Sequence, residues 1–246
     1  MFFRLYKKYK LSFLKRVHLI FGTGFSVQKV YNCKWLIDWS NSVDKNLSVK
    51  KHEDEQINFL RNELKSFKPD IFLDIGAHGG LYSVLIKKEF PNTKVYSFEP
   101  DRQNRYQLYS NIFLNNLENS INVFNIGLSN YTGEASFGIK ERFRRGGKGI
   151  TDQGTDKINV DTLDNLLKIK NKKCFIKIDV EGHEKQVLQG SMSFMKDNFC
   201  LVQTEILNKE NEKDLFNIFA DYKYTFFKKI DTSNAPDYYF IKQKRS

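Results

Sequence analysis

With 246 residues, 40% hydrophobic and 15% aromatic, the chain can bury one sizeable core, which excludes a disordered polymer. Its formal charge of +11 is uneven: Met1–Lys34 holds eight Lys and Arg and no acid, which leaves +3 for everything after it. Three cysteines (Cys33, Cys174, Cys200) with no CxxC spacing exclude a disulfide framework and a zinc knuckle, and no apolar run reaches the ~18 residues of a membrane span.

Plotted as a helix, Met1–Phe21 places Phe2, Tyr6, Tyr9, Phe13, Val17 and Ile20 within an arc of roughly 80°, with Arg4, Lys7, Lys8 and Lys15 outside it. Such a basic amphipathic helix either lies in the surface of an anionic membrane or docks on the protein's own core or a second subunit. The apolar run His18–Val27 is interrupted by Gly22 and Gly24 and lacks a cleavage signature, which argues against a signal peptide. Residues 1–50 are therefore expected to be this helix and a linker, with the main folded body in 51–246. Residues 31–50 show no clear pattern, although Trp35 and Trp39 are four apart, a spacing that a helical face could share. His52–Phe67 repeats Ile57, Leu60 and Leu64 at helical spacing and ends ahead of Pro69.

Ile71–Pro100, IFLDIGAHGGLYSVLIKKEFPNTKVYSFEP, reads as half of a doubly wound α/β fold. The strand Ile71–Ile75 is apolar except for Asp74, as a strand covered on both faces should be. Gly76, Gly79 and Gly80 form a turn in which backbone approaches a ligand, Leu81–Phe90 a helix, and Lys94–Phe98 a strand ending on Glu99. An acid at that strand end suits a ribose with two free hydroxyls. A dinucleotide fingerprint needs Gly-x-Gly-x-x-Gly to seat a pyrophosphate, whereas the spacing here is Gly-x-x-Gly-Gly with Asp74 before it. A carboxylate aimed at the loop would repel pyrophosphate and attract a sulfonium or ammonium group, so the pattern favours S-adenosylmethionine over NAD. The loop candidates are Asp74, Gly76, Ala77, His78 and Gly80. Ile121–Ile126 reads as a third strand, which puts Asn125 and Gly127 near the adenine.

From Ser129 the alternation weakens, and Tyr131–Glu134 before Ala135–Ile139 suggests an inserted hairpin. Lys140–Gly154 has five Lys or Arg and four Gly. It is either a solvated loop or a lid that meets an acidic or phosphorylated substrate; no Ser or Thr follows Lys148, so it is not a P-loop. Cys174–Glu184, CFIKIDVEGHE, is apolar up to Ile178 save Lys177, and predicts a central strand delivering Asp179, Glu181 and His183 to its carboxyl end. These residues either remove a proton from a substrate hydroxyl or hold a divalent cation, the former favoured; the bland alternative has Asp179 capping a helix over Glu184–Met195. Cys174 and Cys200 fall in apolar strands and are expected to be buried thiols in a reducing, cytoplasmic setting. Phe199–Ile206 is the next strand, Asn211–Ala220 a helix, and Tyr224–Ile230 with Tyr238–Lys242 an antiparallel pair.

DIGAHGGLYS, FEP, NIGLSNYTGEASF, INVDTLDNLL and IKIDVEGHEKQVLQG, in this order over about Ile71–Ile206, resemble the FkbM family of S-adenosylmethionine-dependent methyltransferases. The resemblance implies the Rossmann-like class I methyltransferase fold, a three-layer sandwich around a mostly parallel seven-stranded sheet. It also implies O-methylation of a sugar, glycan or related hydroxyl. By motif position Asp74, Gly76 and Ala77 would form the cofactor loop, Glu99 would take the ribose hydroxyls, and Asp179 and Glu181 would sit at the reaction centre. His78 stands where the family commonly has Asn. A nucleic-acid acceptor is disfavoured, because the basic excess is terminal and no Asn-Pro-Pro-Tyr type motif occurs; a non-catalytic cofactor-binding module at a membrane is the other alternative.

Overall fold

A computed structural model describes residues 12–13, 15–17, 20, 22, 24–48, 53–139, 147–206, 209–231 and 235–243. The first strands, β1 (Phe25–Val30) and β2 (Cys33–Asp38), pair as a hairpin. Tyr31 and Asn32 between them have φ of 51° and 61°, the left-handed pair that a type I′ turn needs. Cys33, Trp35, Ile37 and Trp39 alternate inward and are buried. The two tryptophans thus share a face of an extended strand, not of a helix. A spacing of four satisfies both periods, and the pairing with β1 decides between them.

After helices α1 (Ser42–Ser48) and α2 (Asp54–Phe67) the chain runs β3 (Ile71–Ile75), α3 (Leu81–Glu89), β4 (Lys94–Phe98), α4 (Arg102–Leu114) and β5 (Ile121–Phe124). An insert follows: β6 (Gly127–Leu128), β7 (Gly133–Ile139), β8 (Lys148–Ile150) and β9 (Asp156–Asp161). The rest is α5 (Leu163–Leu166), β10 (Lys173–Ile178), α6 (Glu184–Gln189), α7 (Met192–Asp197), β11 (Phe199–Glu205), α8 (Lys209–Asp221), β12 (Tyr224–Ile230) and β13 (Asp237–Lys242).

The seven-stranded sheet has the order β12-β13-β11-β10-β3-β4-β5, with β13 antiparallel to both its neighbours and the other joints parallel. Strand β3 shows how the layers divide. Phe72 joins the cluster under α2, α3 and the hairpin, while Ile71, Leu73 and Ile75 join the cluster under α5 to α8. Cys174 and Cys200 are register partners in that second cluster and are buried free thiols, as expected.

Helix α4 explains how the hairpin is held. Asp101 caps it by accepting from Gln103 and Asn104 N–H, and Gln107, Asn111 and Asn115 then fall four apart on one face. Asn111 and Asn115 accept from the Leu36 and Lys34 N–H groups at 2.8 and 3.0 Å, and Gln107 and Asn115 donate to the Leu36 and Lys34 carbonyls at 3.0 and 2.7 Å. The helix face acts as a substitute strand for the free edge of β2 and satisfies the N–H and carbonyl groups of Lys34 and Leu36.

Several expectations change. The insert is a four-stranded sheet of order β6-β9-β7-β8, not a lone hairpin. The helix expected over Glu184–Met195 is two helices broken at Gly190-Ser191, where a Cβ on Gly190 would overlap the carbonyl of Ser129. Val30, Trp35, Ile37, Trp39 and Leu47 lie in one hydrophobic cluster with Leu60, Phe72 and Leu85. The basic helix expected over Met1–Phe21 lies largely outside the described residues; of its apolar stripe, Phe13 and Ile20 are exposed. Residues 140–146 of the expected loop or lid also lie outside them. Among the described residues no helix is long and apolar enough to cross a membrane.

Candidate functional site

The turn after β3 is built on positive φ. Gly76 has φ 81°, and a Cβ there would overlap the backbone carbonyl of Asp179. Only glycine lets the β3 turn and the β10 turn touch in this way. Gly76 and Ala77 both donate N–H to the Phe98 carbonyl at 3.0 Å, and Asp179 donates N–H to the Ile75 carbonyl at 3.0 Å. The carboxyl ends of β10, β3 and β4 are therefore locked together. Gly80, φ 81°, is the N-cap of α3 and lies against Leu108.

Glu99 follows β4 and is buried. Its Oε2 accepts from His78 N–H and its Oε1 from Asp101 N–H, each at 2.8 Å. Burial pushes this carboxyl up to about 7, against the two N–H groups that lower it.

At the end of β10, Asp179 Oδ2 accepts from Lys177 Nζ at 2.9 Å. Asp179 does not cap α6, whose N-cap is His183. His183 lies 3.0 Å from Ser129 Oγ through Nε2, which ties the α6 start to the insert. Glu181 is in the left-handed region at φ 55°, and a Cβ on Gly147 would meet its carboxylate. Glu184 does not line the cavity; it is buried, and its Oε1 accepts from Gly182 N–H at 2.9 Å. Among the described residues no three His, Cys, Asp or Glu side chains gather as a metal site.

A cavity of about 250 Å³ opens over these strand ends. It brings together Gly76, His78, Glu99, Gly127, Asp179, Glu181 and His183 from the sequence expectation. Ala77 is buried and borders a smaller adjoining cavity of about 70 Å³. Three expected residues fall elsewhere. Asp74 is buried under α3, where it accepts from Ser83 N–H at 3.0 Å and Ser83 Oγ–H at 2.6 Å, so it does not face the loop's ligand side. Gly80 borders neither cavity. Asn125 turns to a separate cleft beside Arg102 and Arg105, because β5 stops at Phe124 and alternation then sends Ile126 inward.

The cavity also takes residues that sequence reasoning left out. Val43 and Glu53 come from the amino-terminal segment, with no motif to flag them, and Glu205 comes from the end of β11. Burial and the nearby acids Asp179, Glu181 and Asp237 hold the Glu205 carboxyl far above the usual range. The insert closes one side through Gly147 to Ile150, and Lys148 Nζ forms a 2.7 Å ion pair with Asp101. Glycine-turn backbone, one buried acid over β4 and an acid-rich end of β10 suit a ribose-bearing cation and leave no cradle for a pyrophosphate.

This strand order is that of the class I methyltransferase fold. The sequence matches the methyltransferase FkbM domain over residues 74–232, more than half of the chain, so the protein belongs to that family, whose methyl donor is S-adenosylmethionine. It is 25% identical over 174 residues to the hexuronic acid methyltransferase AglP of Haloferax volcanii, covering 70% of this chain and 69% of AglP. Among solved structures it is similar to methyltransferase FkbM from Methylobacillus flagellatus, with TM-score 0.52, 19% identity and coverage of 68% of this chain but 42% of that one. A putative O-methyltransferase from Klebsiella pneumoniae has TM-score 0.51 and 11% identity over 77% of this chain and 80% of its own. These two likenesses speak for the fold.

Proposed function

We propose that the protein is an S-adenosylmethionine-dependent O-methyltransferase acting on a hydroxyl of a sugar, a glycan or a related small molecule. The observation that carries this reading is one cavity bordered by Glu99 on one side and Asp179, Glu181 and His183 on the other, joined through Gly76. Similarity to a methyltransferase of a hexuronic acid supports the sugar. When bound, S-adenosylmethionine supplies an electrophilic methyl group on a cationic sulfur. In this reading Glu99 accepts hydrogen bonds from the ribose hydroxyls, and the backbone of Gly76 and His78 lines the nucleoside side. Asp179 accepts the proton of the attacking hydroxyl, with Glu181 and His183 as the alternative acceptors beside it. The walls hold that hydroxyl in line, and proximity supplies much of the rate.

A nucleic-acid acceptor is the weaker reading. Lys68, Lys170, Lys172, Lys173, Lys196 and Lys242 line a cleft at the opposite ends of the strands, so a polyanion bound there sits away from the cavity. Residues 1–21 are the proposed contact with the cytoplasmic face of a membrane. The test is transfer of labelled methyl from S-adenosylmethionine to fractionated glycans, lipids and RNA. Label on a glycan hydroxyl is expected; label in RNA, or binding of S-adenosylhomocysteine with no transfer to any fraction, overturns the assignment. Asp179→Ala should lower kcat by about 10²-fold or more while leaving S-adenosylhomocysteine affinity near wild type.

A further inference from the structure

Lys177 lies in the middle of the main sheet, in register with Asp74 on β3 and Gln203 on β11, and is 5% exposed. A lysine in such a place is costly, and an apolar pair replacing it and Asp74 would serve packing as well or better. Its ammonium meets Asp179 Oδ2 at 2.9 Å and lies 4.7 Å from the centre of the Tyr82 ring, on the helix above. Asp179 itself is about one-third exposed, at 35%, on the cavity wall. The cation is hidden and its partner is presented.

We infer that Lys177 is the positioning residue for the proton acceptor: it reaches along the sheet from below, fixes the Asp179 carboxylate in one rotamer and offsets the acids crowded around it. Those acids come from every neighbouring element: Asp74 from β3, Glu53 before α2, Glu184 on α6, Glu205 at the end of β11 and Asp237 on β13. Tyr82 on α3 and Tyr239 on β13 complete the surround, each with a buried hydroxyl. Burial alone would lower the lysine's proton affinity, but Asp179 and Asp74 beside it raise it, so the ammonium stays charged throughout the working range. Paired with Asp179 and in register with Asp74, whose charge it feels without a direct bond, it carries charge compensation from the core to the site.

This inference rests on the proposed role of Asp179 but is tested without an acceptor. The Asp179 carboxyl is titrated in the full chain by carbon-detected NMR on aspartate-labelled protein, with Asp179→Asn to assign the signal. In Lys177→Met it should titrate at least about one pH unit higher than in wild type, as for a carboxylate that loses a contacting cation. Lys177→Arg should return it most of the way. Because Lys177→Met strands the Asp74 carboxyl, the double variant Asp74→Asn with Lys177→Met keeps the core neutral and should fold with the same raised titration. A titration unchanged in either folded variant overturns the inference and leaves a merely structural lysine. Failure of methyl transfer in the wild type, with the titration shifted as expected, would instead count against the function and not against Lys177.

Discussion

Glu99 concentrates two demands in one side chain. It is buried and accepts two backbone N–H bonds, yet it lines the cavity. Its folded value of about 7 lies above its ordinary 4.5, so its contribution to stability is full below about 4.5 and is lost as pH rises through about 7. In the role proposed for Glu99 the ribose hydroxyls would donate to its carboxylate form, so S-adenosylhomocysteine affinity should rise between pH 6 and 8. Glu99→Gln should bind it at least about tenfold more weakly at pH 8 and flatten that dependence; calorimetry across this range checks both. Gly76 is the other single-residue constraint. Gly76→Ala adds a Cβ against the Asp179 carbonyl at a left-handed φ, and a loss of about 2–4 kcal/mol is expected in denaturant unfolding.

At the level of elements, α4 carries the most specific arrangement. Asn111 accepts from Leu36 N–H and donates to the Gly79 carbonyl at 2.8 Å, so one side chain joins the hairpin, the helix and the glycine turn. Asn111→Ala leaves a part-buried N–H and a part-buried carbonyl without this partner, and should cost about 1–2 kcal/mol, read as a lower midpoint in urea. Asn111→Leu should cost at least as much, since it adds volume without restoring either bond. The insert sheet works differently: Lys148 on β8 pairs with the cap of α4 at Asp101 and closes the cavity's edge. Although burial pulls the Asp101 carboxyl upward, Lys148 and the N–H groups of Asn104 and Gln103 hold it below its ordinary value.

At the scale of the whole molecule, two apolar layers flank the seven-stranded sheet, and the candidate site lies at the carboxyl ends of its central strands. Among the described residues, the layer on the α2–α3 side starts at Val30, inside the amino-terminal hairpin, and includes two fully buried tryptophans. Removing residues 1–21 should therefore preserve the thermal midpoint and S-adenosylhomocysteine binding while shifting the protein from membrane to supernatant fractions. Unchanged fractionation would exclude the membrane contact.

Strands β3, β4 and β10 were legible residue by residue, because a buried parallel strand is apolar on both faces and each here ends on an acid or a glycine turn. Helix α2 was legible from the local spacing of Ile57, Leu60 and Leu64, and the ordered motifs carried the family. The β1–β2 hairpin was not, since a four-residue spacing of tryptophans fits helix and strand alike until a partner strand is present. Asp74 illustrates a second limit: sequence places an acid before the glycine turn, but which way it points is set by strand alternation against α3. Lys177 was visible as a lone charge in an apolar strand, yet its meaning required knowing that Asp74 lies beside it and Asp179 above. Local sequence determined the elements and the chemistry at their ends. Register and layer, which are long-range, decided which of those side chains share a cavity and which are buried behind it.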